Sequence, residues 1–111
     1  MIYKIFRAGE WAALERDGAT AGASVDLADG FIHFSAAAQV RETAAKHFAG
    51  QDGLVLAGVD PATLGGALRW EPSRGGALFP HLYRALRREE VVWTAPLRWD
   101  GVAHVFPPLP E

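Results

Sequence analysis

Hydrophobic and polar positions change their period several times along this chain, and each change predicts an element. "IYKIFR" (2–7) reads as a first strand. "EWAALERDG" (10–18) then carries Trp11 and Leu14 inward on a short helix that Asp17-Gly18 ends. "DGFIHFS" (29–35) reads as a second strand opened by a turn, and Ser35 is placed to cap the main helix, "AAAQVRETAAKHFAG" (36–50), which stops at Gly50. On that helix Val40, Ala44 and Phe48 form an apolar stripe, with Gln39, Thr43 and His47 as a polar stripe beside it and Glu42–Lys46 pairing on the solvent side. "LVLAGVD" (54–60) is almost continuously apolar, as in a central strand covered on both faces. Asp60-Pro61 reads as a cap followed by the first residue of a helical turn. "ALRWE" (67–71) and "FPHLY" (79–83) are shorter extended segments. "VVWTAPLRW" (91–99) and "VAHVF" (102–106) flank Asp100-Gly101, a pair suited to a two-residue hairpin turn, with Pro96 marking an edge or a bulge. The sum is an α+β fold in which strands dominate, with one main helix and one short helix.

Composition narrows this picture. A chain of 111 residues, 50% hydrophobic and 22% charged, supports a single domain over 1–111 without disulfides or metal, with the proline-rich end at 106–111 expected to fray. Eleven basic residues against 13 acidic ones give a net charge of -2 and no broad surface for nucleic acid. The absence of cysteine excludes disulfide staples, thiolate zinc sites and cysteine catalysis. With no leader-like start and no long apolar run, the expectation is a cytoplasmic protein without a membrane partner; oligomeric state stays open.

Several polar side chains fall where chemistry is plausible. Alternation puts Phe31, His33 and Ser35 on one strand face and Ile32 with Phe34 on the other. His33 is then either a core histidine held by a backbone acceptor or part of a pocket. Glu71, between Trp70 and Pro72, would act as acid or base if an apolar setting raised its pKa. Arg74 in "SRGG" suits a phosphate or carboxylate, although the loop lacks the spacing of a dinucleotide or nucleotide-phosphate motif. Phe79, His81 and Tyr83 share a face if "FPHLY" is extended, with Pro80 and Leu82 opposite. His104 reads as packing or sheet edge. The candidate catalytic set is therefore His33, Glu71 and His81, with Ser35, Trp70, Arg74, Phe79 and Tyr83 as ligand contacts and Gln39, Thr43 and His47 supporting them from behind. No metal is assigned: the histidines lack the spacing of a zinc motif.

The ordered set "IYKI", "DGFIHFSAAAQVRETAAKHF", "LVLAGVD", "LRWEPSRGGALFPHLY" and "PL" resembles, over nearly the whole chain, the small bacterial proteins of domain of unknown function family 952. That family in turn resembles the ADP-ribosyltransferase-like superfamily. The resemblance implies small, split and bent, mostly antiparallel sheets around a cleft for NAD or ADP-ribose. It carries His33 and Ser35 over as ligand contacts, and places Lys4 and Arg7 where relatives contact the dinucleotide. No "Q-x-E" or "E-x-E" is present, which leaves Glu71 as the replacement and speaks against ordinary protein ADP-ribosylation. Three functions follow as expectations: an enzyme acting on an NAD-like or ADP-ribosyl ligand, a non-catalytic module reading a small ligand or partner through an aromatic cleft of Trp70, Phe79 and Tyr83, and a metal-dependent hydrolase.

Overall fold

A computed structural model of the chain describes residues 1–73 and 75–110. The first strand, β1 (Ile2–Phe6), is buried at every position. It pairs antiparallel with β5 (Leu54–Val59) on one side and with the two-residue β4 (Ser35–Ala36) on the other. Beyond β5 come β9 (Val91–Trp99) and β10 (His104–Val105), giving a sheet in the order β10-β9-β5-β1-β4. Because strand side chains alternate, this sheet has apolar material on both faces. Ile2, Phe6, Ala57 and Val59 pack with Leu14, Ile32 and Leu82 on one face, while Tyr3, Ile5, Leu54 and Leu56 pack with Val40, Ala44 and Leu97 on the other. The expected central position of 54–60 is thus met. Val59 pairs with Val91 while Gly58 pairs with Trp93, so the extra residue, Val92, bulges out and β9 changes face at that point. A side chain at Gly58 would press on Trp93 and Tyr3, whose rings meet edge to face at 5.8 Å.

A smaller sheet holds β3 (Ile32–His33), β7 (Ala77–Leu82) and β6 (Leu68–Ser73) in the order β3-β7-β6, and β2 (Ala19–Thr20) pairs with β8 (Leu86–Arg87). The segment read as one strand at 29–35 is therefore two. It leaves the small sheet at Phe34, whose N–H donates to the Pro80 carbonyl, and joins β1 at Ser35. Burial of Phe34 drives this crossing, since its ring is needed in the core at the junction of the sheets.

Helix α1 (Ala8–Asp17) begins where Glu10 accepts the Arg7 N–H and ends at Gly18, whose φ of 79° only glycine adopts readily. The helix expected at 36–50 is shorter: α3 spans Val40–His47. Ser35 does not cap it, being in β4; Gln39 precedes the helix, and its side chain accepts the Ala36 N–H and donates to the Leu78 carbonyl. The apolar stripe stands, with Val40 and Ala44 buried and Phe48 packed beside them, and Glu42 meets Lys46 at 2.7 Å. A third helix, α2 (Ser24–Asp29), was not expected. Asp60 accepts the Ala62 N–H at the start of a 3-10 segment, Pro61–Ala67, as its position before proline predicted.

Near the end, the hairpin loop differs from expectation and Pro96 meets it. Trp99 pairs with His104, so the hairpin loop has four residues rather than two, with Asp100 accepting the N–H groups of Val102 and Ala103. Pro96 pairs with Val55 on its inner side and lies outside the stretch that β10 covers. In the tail, Phe106 and Leu109 pack against the second core, and the Tyr3 hydroxyl donates to the Pro110 carbonyl. No described helix is long and apolar enough to cross a membrane.

Candidate functional site

The crossing at Phe34 creates a gap between the two sheets, and a cleft of about 440 Å³ lies there, bounded by β1, α2, β3, β4 and α3. That volume suits a small organic ligand. One wall is a polar network built on Asp26. Its carboxylate, with 0% of the side chain exposed, accepts the N–H of Ala23 (2.8 Å) and of His33 (3.0 Å), meets His33 Nδ1 at 2.6 Å and pairs with Lys4 Nζ at 2.9 Å. Lys4 also donates to the His33 carbonyl. Burial pushes the Asp26 carboxyl up, but the hydrogen bond from His33 and the charge of Lys4 outweigh it and hold the group at about 2. The remaining nitrogen of His33, Nε2, lies 3.0 Å from Asp29 at the end of α2. The ring is therefore held at both nitrogens while still touching the cleft.

Ser35 lies against the cleft, its hydroxyl 2.9 Å from that of Thr43 on α3. His47, one helical turn on, lines the rim. Arg7 stands at the mouth, its guanidinium over the Phe48 ring, its Nε bonded to Gln51 and a terminal nitrogen 3.5 Å from Glu10. Of the expected supporting residues, Thr43 and His47 reach the cleft, whereas Gln39 is spent on Ala36 and Leu78.

Glu71, His81 and Tyr83 do meet one another, though not in this cleft. Glu71 Oε1 accepts from the Tyr83 hydroxyl at 2.6 Å and faces His81 Nδ1 at 2.9 Å. The expectation of a raised Glu71 pKa is overturned: the hydrogen bonds from Tyr83 and then His81 favour the carboxylate and hold it below its ordinary value. The same bond to Glu71 raises the Tyr83 phenol. Register explains why the indole has no part in this. Trp70 is opposite Pro80 while Glu71 is opposite Phe79, so Trp70 is on the other face of the hairpin. No aromatic cleft of Trp70, Phe79 and Tyr83 forms: Trp70 is exposed and Phe79 is buried on the face that Trp70 leaves. His81 pairs in register with His33, and Phe31 stacks on it at 4.1 Å, leaving Nε2 buried without a hydrogen-bond partner among the described residues. The two imidazole rings lie 5.3 Å apart. Arg74 lies outside the described residues. His104 sits on the edge strand with Nε2 at 2.8 Å from the Gln51 carbonyl, as a packing residue would.

Asp26 and Asp29 went unseen in the sequence because α2 inverts the usual pattern. It exposes Val25 and Leu27 and buries the aspartate between them, so periodicity points the wrong way. The available signal was local: Asp26 reaches back to the N–H of Ala23, as an acidic residue in a first helical turn does, and Gly30 closes the helix at a φ of 85°. Among the described residues, no group of three histidine or acidic side chains is placed to hold a metal ion.

A family model described as "Protein of unknown function (DUF952)" matches residues 5–94. The crystal structure of protein CC0527 from Caulobacter crescentus is similar with a TM-score of 0.89 and 53% identity, over 93% of this chain and 90% of that one. The solution NMR structure of CC0527 gives a TM-score of 0.83 at 53% identity, over 93% and 89% of the two chains. No curated protein matches.

Proposed function

The chain belongs to the DUF952 family, and from its geometry we propose that the cleft between the two sheets binds a small anionic ligand of the NAD or ADP-ribose type. The observation that carries this reading is the placement of His33 and Ser35. The likeness to ADP-ribosyltransferases carried both over as ligand contacts, and both line one cleft together with Lys4 and Arg7. A buried carboxylate behind a partly exposed imidazole is how a ligand-facing histidine is held in one orientation. Calorimetric titration with ADP-ribose and with NAD tests it. Saturable binding that His33→Gln weakens at least about tenfold, in a variant that still unfolds cooperatively, is expected. Native protein that binds neither compound would overturn the proposal.

A second reading, binding without turnover, is favoured by one specific observation. Glu71 and His81, the other members of the expected catalytic set, are tied to each other and do not line the cleft, so no second acid or base from that set faces the cleft with His33, although the His81 ring lies 5.3 Å from the His33 ring. Incubation with NAD separates the two: bound NAD recovered intact supports a binding module, and release of nicotinamide supports an enzyme.

A further inference from the structure

Asp26 and Asp29 grip the same imidazole, yet they are held very differently. Asp26 is sealed in the interior by Lys4, Ala23 and the His33 backbone. Asp29 is 47% exposed and sits on the last residue of a six-residue helix, immediately before Gly30 at a φ of 85°. Its contact with His33 Nε2 at 3.0 Å is the ion pair that the structure gives it. The other charged groups on the cleft are matched among themselves: Lys4 by Asp26, Arg7 by Glu10. With a carboxylate oxygen 2.6 Å from Nδ1 and another 3.0 Å from Nε2, the imidazole has an acceptor at each nitrogen, and Asp29 is the one on the open side.

We infer that Asp29 occupies the position of the ligand's anionic group, so that a phosphate oxygen binds His33 Nε2 by taking the place of the Asp29 carboxylate. One acceptor replaces another, so Nε2 keeps a partner throughout the exchange. The exchange also costs little burial, because Asp29 already faces solvent, whereas Asp26 cannot leave without stranding Lys4. Asp29 then acts as a built-in competitor: it sets a threshold affinity that a neutral ligand does not pass and a phosphate group, with several acceptor oxygens for the cleft's donors, does. Phosphorylated compounds are selected over their unphosphorylated counterparts. This inference rests on the proposed ligand cleft and adds the group that guards it.

The test compares native protein with Asp29→Asn, titrated with inorganic pyrophosphate and separately with ADP-ribose. Removing an exposed carboxylate that competes for one hydrogen-bond donor should tighten pyrophosphate binding about twofold to fivefold. The gain should vanish in Asp29→Asn combined with His33→Gln. Equal or weaker pyrophosphate binding by Asp29→Asn, or a gain that survives loss of the imidazole, overturns the inference. Asp29→Ser repeats the measurement should the asparagine variant keep a hydrogen bond to Nε2. The ADP-ribose arm keeps the two proposals apart. If native protein binds ADP-ribose and Asp29→Asn binds it no better, the guarding role falls and the ligand reading stands. If Asp29→Asn gains affinity for pyrophosphate while ADP-ribose binds neither protein, the anion position stands and the ADP-ribosyl reading falls.

Discussion

The molecule contains two carboxylate–imidazole pairs on neighbouring strands, and they are built inside out relative to each other. In Asp26–His33 the carboxylate is 0% exposed and the imidazole, at 17%, reaches the cleft. In Glu71–His81 the carboxylate is 34% exposed and the imidazole is 5% exposed. The third partner follows the same inversion, a buried ammonium from Lys4 in one case and the phenol of the exposed Tyr83 in the other. The chemical pair is shared, but what it presents to a ligand depends on which member points outward. A buried carboxylate orients a histidine for something else to meet; an outer carboxylate pins a histidine into the packing. On the proposed reading His33 is the histidine that meets the ligand, while His81 packs between Phe31 and the hairpin.

Four measurements would break or sharpen this contrast. The largest effect is expected from Asp26→Ala, which leaves the Lys4 ammonium buried without its counter-ion. A loss of about 3–5 kcal/mol in urea unfolding is expected, and a loss no greater than that of an ordinary surface substitution would show that the network is not a buried one. Next comes Gly22→Ala. A side chain at Gly22, whose φ is 107°, would meet the Cβ and a carboxylate oxygen of Asp26 at 2.4 Å. Strain and displacement of Asp26 should together cost about 2–3 kcal/mol, with the His33 imidazole resonances shifting in NMR spectra.

Acid gives the third test, with a definite sign. The Asp26 carboxyl is depressed when folded, to about 2 from an ordinary 3.8, so its contribution is present above about pH 4 and is lost as pH falls through 2. The displacement corresponds to about 2 kcal/mol. Glu90, buried and paired bidentately with Arg84 at 2.9 and 2.7 Å, is also held at about 2 and loses its share in the same window. Unfolding free energy followed from pH 5 to pH 2 should therefore fall less steeply in Asp26→Asn than in the native chain, and parallel curves would refute the assignment. The smallest effect is expected from His81→Leu. Its Nε2 is already buried without a hydrogen-bond partner among the described residues, so an apolar replacement should stay within about 1 kcal/mol of native. A loss of several kcal/mol, or loss of ADP-ribose binding with the fold intact, would erase the distinction between the two histidines.

Much of the architecture was readable from the chain because it depends on local period. The largely buried run at 54–59, the strand at 2–6, the stripe of Val40 and Ala44, the cap at Asp60 and the outward side of Pro96 follow from side-chain alternation, helical spacing and proline's missing donor. His33 and Ser35 were likewise legible as candidates, since alternation sets them apart from the core residues Ile32 and Phe34. Where the reading failed, the deciding contacts were long-range. Nothing local distinguishes one strand at 29–35 from two that part at Phe34, because the choice is made by Pro80 on one side and β1 on the other. Nor does spacing show that Glu71 turns toward Tyr83 rather than toward its neighbour Trp70, since strand register sets that. Sequence alone determined which segments extend, which coil and which imidazole stands out from an apolar strand, because those follow from the period of neighbouring side chains. Only the tertiary structure decided that Asp26, on a helix with apolar residues outward, lies beneath that imidazole: the Lys4 charge that makes its burial tolerable comes from a strand 22 residues earlier.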